Sequence, residues 1–457
     1  MKMLRQILTL AVLVVSPVFT IAGDSSRTPA LTALSDAAGS GVVDQPGVKH
    51  GVYDRVRWFA GQRAKAAAPP QLPMQEKKWT VMVFNNGANN LAGAVLAMDL
   101  EQMSSVGSTD NMNLVLEMGL ASGSQSLVQR MLLLPASRGK KINPVIYSMD
   151  VNRDMGAWNH VADFVQWAKK NFPARRYMLI IQNHGAGVSG ISFDDTSGNT
   201  IKISQFTPMF KRAGFVDIFL MNACLMQMLE VDYQIGPNAG VIVGSEEVDA
   251  AWFQHEERLG YLNAHPDDSA ESISSAFVDM RDKARNALSG YRLAPHATLS
   301  AVRTSELKNL SLALDAWVGA VVAADEPAAL RAAIESVIRF NGLNETTRAE
   351  SQFADLGDFA SILSGASRSP EVKDATGNLL DSIKKSVVKS MGTQGHKEVA
   401  GISIRMIPRK KPQTSAAPPD KPGRSFVEYS YTDMRLIKAG GRWGEFLGWA
   451  EKIYYQP

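Results

Sequence analysis

The chain has 457 residues and a single cysteine, Cys224. One thiol excludes a disulfide framework and any zinc site built from several cysteines. An excess of charge of one sign is also missing: 48 Lys and Arg stand against 45 Asp and Glu, a formal net charge of +3. That balance gives no electrostatic reason to expect nucleic acid as a partner. No internal repeat is found. The segment "QHEERLGYLNAH" sets His255 and His265 at a spacing that cannot put two zinc ligands on one helical face. No D-x-D-x-D-G calcium loop occurs either.

What is present is ordinary for a large globular protein: 45% hydrophobic and 20% charged residues, enough for a sizeable core. "MKMLRQ", carrying Lys2 and Arg5, precedes "ILTLAVLVVSPVFTIA", an apolar run broken by Pro17 and ending in small residues near Ala22. Residues 1–22 read as a secretory signal peptide, with an apolar run short for a bilayer span. Export to the periplasm or beyond is therefore expected, with no stable membrane insertion once the signal is removed. Exported proteins mostly use cysteines in pairs, so a lone Cys224 is either an inert buried thiol or a reactive one. Residues 23–77 are rich in small residues and Pro and read as a linker or pro-segment. The Pro- and Lys-rich stretch 408–425 reads as a solvated loop.

Dense patterning begins at Trp79. "WTVMVF", "MNLVLEMG", Tyr177 to Ile181, Ile218 to Met221 and "AGVIVGS" are short apolar runs of strand character. Helices are predicted around "LAGAVLAMDLEQMSSVG" and "GAWNHVADFVQWAKKNF", where Trp158, Val161, Phe164, Val165 and Ala168 share one face. The fold class is α/β, a mostly parallel sheet flanked by helices, with a helix-rich C-terminal region. In such sheets functional groups collect beyond the carboxyl ends of the strands. Two runs end in chemically active residues there: "MLIIQNHGAG" in His184 and Gly185, "DIFLMNACLM" in Cys224. A thiol so placed becomes a nucleophile when a neighbouring base favours its thiolate, and His184 is the candidate. Gly185 lacks a Cβ, so its N–H can approach a bound carbonyl and, with the Cys224 N–H, form an oxyanion hole.

The blocks "NNGANNL", "VGSTDNMNLVLEMG", "NHGAGVSGISFDDTSGN", "NACLMQMLEVDYQI" and "VGSEEVDAAWF", in this order, resemble the catalytic domain of the clostripain family of cysteine peptidases, in the caspase–gingipain–legumain superfamily. "FADLGDFASIL", "GISIRMIP" and "WGEFLGWAEKIYY" resemble its C-terminal part. The resemblance implies a caspase-like sheet, with a catalytic core over 78–262 and a region 263–457 completing the fold. It implies an endopeptidase with Cys224 as nucleophile, His184 as proton-transfer group, and the Gly185 and Cys224 amides facing the oxyanion. Asp194 and Asp195 would order the active-site loop. No cofactor is required by it, and calcium, which activates some members, is the metal it allows. The partner implied is a peptide or protein substrate.

In one place the sequence departs from the pattern. The family carries Asp two residues before the cysteine, at the floor of the S1 pocket, where it meets a basic P1 side chain (the residue whose carbonyl is attacked). Here that position is Asn222, which can hydrogen-bond a guanidinium but supplies no charge. Glu246, Glu247 and Asp249, on the loop after the next strand, either restore the charge or are solvated loop carboxylates. Trp252 is a candidate pocket wall. Some relatives mature by cleavage between histidine and cysteine, an interval holding Lys202, Lys211 and Arg212. Two rival readings stand beside the endopeptidase: a transpeptidase or ligase using the same dyad, and a non-catalytic caspase-fold binding protein. The oligomeric state is open.

Overall fold

The computed structural model describes residues 75–455 apart from 95–98, 123, 138–141, 250–253, 288–295, 342–344, 394, 411–430, 432 and 439. The expected signal peptide, nearly all of the 23–77 segment, most of the 408–425 loop and Trp252 lie outside the described residues.

Every apolar run identified in the first half of the chain is a strand. In chain order these elements are β1 (Lys77–Gly87), β2 (Met112–Ser122), β3 (Gln125–Leu134), β4 (Asn143–Val151) and β5 (Ala174–Gln182). A small hairpin of β6 (Ile191–Asp194) and β7 (Asn199–Ile201) follows, then β8 (Val216–Asn222) and β9 (Ala239–Gly244). The second half adds β10 (Thr298–Arg303), β11 (Phe353–Asp355), β12 (Val387–Gly392) and β13 (Ser403–Arg405). Nine strands form one sheet in the order β12-β10-β9-β8-β5-β1-β2-β3-β4. The central five, β9-β8-β5-β1-β2, are parallel, and antiparallel strands close both edges. β11 pairs with β13 in a separate two-stranded sheet. "GISIRMIP" thus supplies a strand outside the main sheet.

Alternation along β1 explains the two layers around the sheet, because successive side chains point to opposite faces. Trp79, Val81 and Val83 pack with Leu100, Met103, Leu259 and Phe277. Met82 and Phe84 join Phe164, Phe206, Leu229 and Trp317 on the other side. Helix Trp158–Asn171 presents Val161, Phe164, Val165 and Ala168 to that second core, as its spacing predicts. Of the predicted helix over "LAGAVLAMDLEQMSSVG", Ala92–Ala94 and Leu100–Val106 are helical among the described residues. Parallel strands buried on both faces have no need of polar alternation, which is why the central strands read as unbroken apolar runs.

Candidate active site

β5 and β8 are neighbouring parallel strands whose last residues, Gln182 and Asn222, are partners in register. His184 and Cys224 follow two residues beyond each. The two chain turns touch: a Cβ at position 185 would lie 2.4 Å from the Cys224 carbonyl oxygen and 2.9 Å from the Ala223 Cβ. Only glycine permits that approach. Beyond it Gly187 has φ +55°, and a Cβ there would meet the Phe353 ring at 2.5 Å and Met228 Sδ at 2.8 Å. Leu225, next to the cysteine, takes φ +63°, which costs a branched residue on the order of 1–2 kcal/mol. The turn is held by Leu225 N–H to Glu247 O (3.2 Å) and Gln227 N–H to Ser245 O (3.0 Å).

The His184 and Cys224 side chains are not hydrogen-bonded to each other. The Cys224 thiol donates to the Asp249 carbonyl at 3.8 Å, beside Leu225, Phe340 and Val399. Burial, followed by the charges of Asp249 and Glu247, pushes the thiol up to about 12. His184 Nε2 lies 2.8 Å from Asn90 Oδ1, and burial lowers the imidazole to about 4. Thiol and imidazole are therefore both neutral at pH 7. The Gly185 and Cys224 N–H groups donate to no other group of the chain among the described residues.

Asp194 orders the loop after His184. One oxygen accepts from Thr196 N–H (2.8 Å) and Ser197 N–H (3.1 Å), and the other from Met155 N–H (2.8 Å). Asp195, raised to about 6 by burial and then by Asp194, lies beside it, its N–H on Ala88 O.

The loop after β9 differs from a solvated acidic loop. Glu246 is buried, and burial, then Asp355, raises its carboxyl well above the ordinary value. Glu247 is buried as well and accepts from Val248 N–H, Asn341 N–H and the His396 ring. Asp249 forms an ion pair with Arg281, both side chains nearly inaccessible. Beneath the active residues, Asn222 Nδ2 donates to Gln182 Oε1 (3.3 Å), and Asn222 Oδ1 accepts from Arg258 Nη1 (3.1 Å). His255 Nε2 meets Gln182 Oε1 at 2.8 Å, and Gln182 in turn donates to Asp99. Asn90 and Arg258, which the sequence reading did not single out, and His255, considered there only as a zinc ligand, line the candidate site. His265 is elsewhere, stacked on Tyr261.

The chain has relatives among known proteins. The clostripain family model matches residues 83–417. The chain belongs to the clostripain family. It is 22% identical to the clostripain of Hathewaya histolytica over 36% of this chain and 37% of that protein, so the match spans little more than a third of the curated relative. The fold is shared with a secreted C11 cysteine protease from Bacteroides thetaiotaomicron, solved with an irreversible peptide inhibitor (TM-score 0.58, 18% identity, 83% of this chain and all of that one). It is shared also with an inactive zymogen C11 protease from Parabacteroides distasonis (TM-score 0.57, 17% identity, 84% of this chain and all of that one).

Proposed function

We propose that this clostripain-family chain hydrolyses peptide bonds through His184 and Cys224. The observation that carries the reading is the juncture of the two strand ends: partners in register, Gly185 against the Cys224 carbonyl, and two amide N–H groups without acceptors among the described residues. Asn90 holds the imidazole with the proton on Nε2, which leaves the Nδ1 lone pair as the base. On substrate binding the thiol leaves the Asp249 carbonyl and passes its proton to Nδ1. The thiolate attacks the scissile carbonyl carbon, and the oxyanion is received by the Gly185 and Cys224 N–H groups. The C–N bond breaks as His184 returns the proton to the leaving amine. Water, deprotonated by the same nitrogen, then hydrolyses the thioester and regenerates the thiol.

Export accords with the N-terminal signal pattern and with the description of the Bacteroides relative as secreted. The mechanism uses only groups of the chain. Calcium is a metal the family resemblance allows, and among the described residues no group of three or more His, Cys, Asp or Glu side chains is arranged to hold a metal ion. No step is routed through it.

The test is cleavage of a fluorogenic peptide library by the mature protein and by Cys224→Ala, with and without calcium. Cleavage that disappears in the variant is expected. Cleavage that persists, or none at all from protein whose Cys224 also resists thiol reagents, would sink the reading.

A further inference from the structure

We infer that the site next to Cys224 receives an acidic P1 side chain, Asp or Glu, with Arg258 as its counter-charge. The inference rests on the reading of Cys224 as nucleophile. Two positions next to the active residues offer oxygen acceptors to a basic substrate group, and an arginine of the chain already engages each. Asn222, two residues before the cysteine, gives its Oδ1 to Arg258 Nη1 at 3.1 Å. Asp249, whose carbonyl receives the Cys224 thiol, gives its carboxylate to Arg281.

The two guanidiniums are not equivalent. Arg281 has a buried carboxylate against it. Arg258 is 4% exposed and, among the described residues, has no carboxylate within ion-pair distance; its Nε has no hydrogen-bond partner. Its neighbours are a neutral amide and the ring of Phe277, 5.6 Å away. Of the surrounding carboxylates, Asp249 attracts the Arg258 charge but is itself paired with Arg281. Glu257 is exposed, Glu247 is bound to His396 and two backbone N–H groups, and Asp99 is raised to about 8 by burial and so largely protonated at neutral pH. Burial, then the nearby Arg281 charge, lowers the Arg258 cation to about 10, with Asp249 and Glu257 offsetting only part of that shift.

A buried cation whose nearest carboxylate is shared with a second arginine is costly, and a carboxylate that arrives with the substrate relieves the cost. The planar guanidinium matches a carboxylate in two parallel hydrogen bonds, which favours Asp or Glu over their amides by charge as well as by geometry. A Lys or Arg at P1 would instead meet two cations in a region of low dielectric.

Peptides identical except for P1 (Glu, Gln, Asp, Asn, Lys) test this with the mature full-length protein at pH 7. The expected result is that each acid exceeds its amide at least tenfold in kcat/KM, with Lys lowest. Arg258→Gln is expected to bring the acid-to-amide ratio near unity. Asn222→Asp, which keeps the guanidinium and gives it a carboxylate, is expected to lower the ratio in the same direction, so the result does not depend on Arg258→Gln folding. Cleavage that prefers neutral or basic P1 and is lost in Cys224→Ala would overturn the acidic P1 site and leave the peptidase standing. No cleavage of any peptide would overturn both.

Discussion

Asn90 Oδ1 lies 2.8 Å from His184 Nε2, joining residues 94 positions apart in the chain. With Oδ1 as acceptor the contact places the ring proton on Nε2, and in the proposed mechanism Asn90 is then a positioning residue that acts through His184. Replacing it with Ala removes one oriented hydrogen bond and is expected to lower kcat/KM by about 10–100-fold, the equivalent of roughly 1.4–2.7 kcal/mol. Asn90→Asp keeps an acceptor and adds an opposite charge, which raises the imidazole pKa. Its acidic limb in the pH–rate profile should therefore move to higher pH than in the parent protein. Unchanged profiles in both variants would remove Asn90 from the site.

The resting thiol gives an independent check. Burial and the neighbouring Asp249 and Glu247 charges push Cys224 up to about 12, while His184 sits near 4, so no thiolate–imidazolium pair exists at neutral pH. Alkylation of the substrate-free protein by iodoacetamide should be slower at pH 7 than for an exposed cysteine, and should rise through the alkaline range. A plateau of fast alkylation beginning near pH 4 would show a pre-formed ion pair instead.

The strand ends were legible because buried parallel strands write continuous apolar runs, and a run that stops at His-Gly or Ala-Cys marks its own terminus. β3 was not recognised: its "SLVQRMLLL" carries Gln129 and Arg130 in the interior, and only the folded chain shows Arg130 paired with the buried Glu117, which also meets the His160 ring. The floor of the site was illegible for a similar reason. Arg258 reads as one more charged residue at a helix start, and its role depends on helix His255–Ala264 setting it against Asn222, 36 residues earlier. Glu246, Glu247 and Asp249 read equally as solvated or as pocket-forming, since their burial depends on β10, β11 and the 396 region closing over them.

Gly185→Ala separates proximity from stability. The added Cβ would sit 2.4 Å from the Cys224 carbonyl and must force the His-Gly and Ala-Cys turns apart. Overpacking of this kind costs about 1–3 kcal/mol, so a lowered melting temperature is expected from a protein that still folds. If Gly185 acts as proposed, activity should fall much further than the folded fraction, because the displaced amide would no longer face the oxyanion. Full activity at unchanged stability would mean that the two turns are not in contact.

Asp99 makes the pH dependence of stability a structural test. Its carboxyl is fully buried, hydrogen-bonded by Gln182 and 3.7 Å from His255, and burial raises it from an ordinary 3.8 to about 8. A folded-state pKa above the unfolded one means that the folded protein holds the proton more tightly. The stability this contributes is fully present below the unfolded value and is lost as pH rises toward and through about 8. Asp99→Asn keeps a neutral hydrogen-bonding group of the same shape and cannot ionise. Denaturant midpoints measured from pH 5 to 9 should fall with pH in the parent protein more steeply than in the variant, and the two curves should diverge most at the alkaline end. The His255 ring, lowered to about 3 by burial and then by Arg258, adds a slope of the opposite sign below about 6.5, where only the unfolded form is protonated, but that contribution is common to parent and variant and cancels in the comparison. Parallel curves across pH 5–9 would mean that Asp99 is ionised in the fold, and His255 would then be its charged partner.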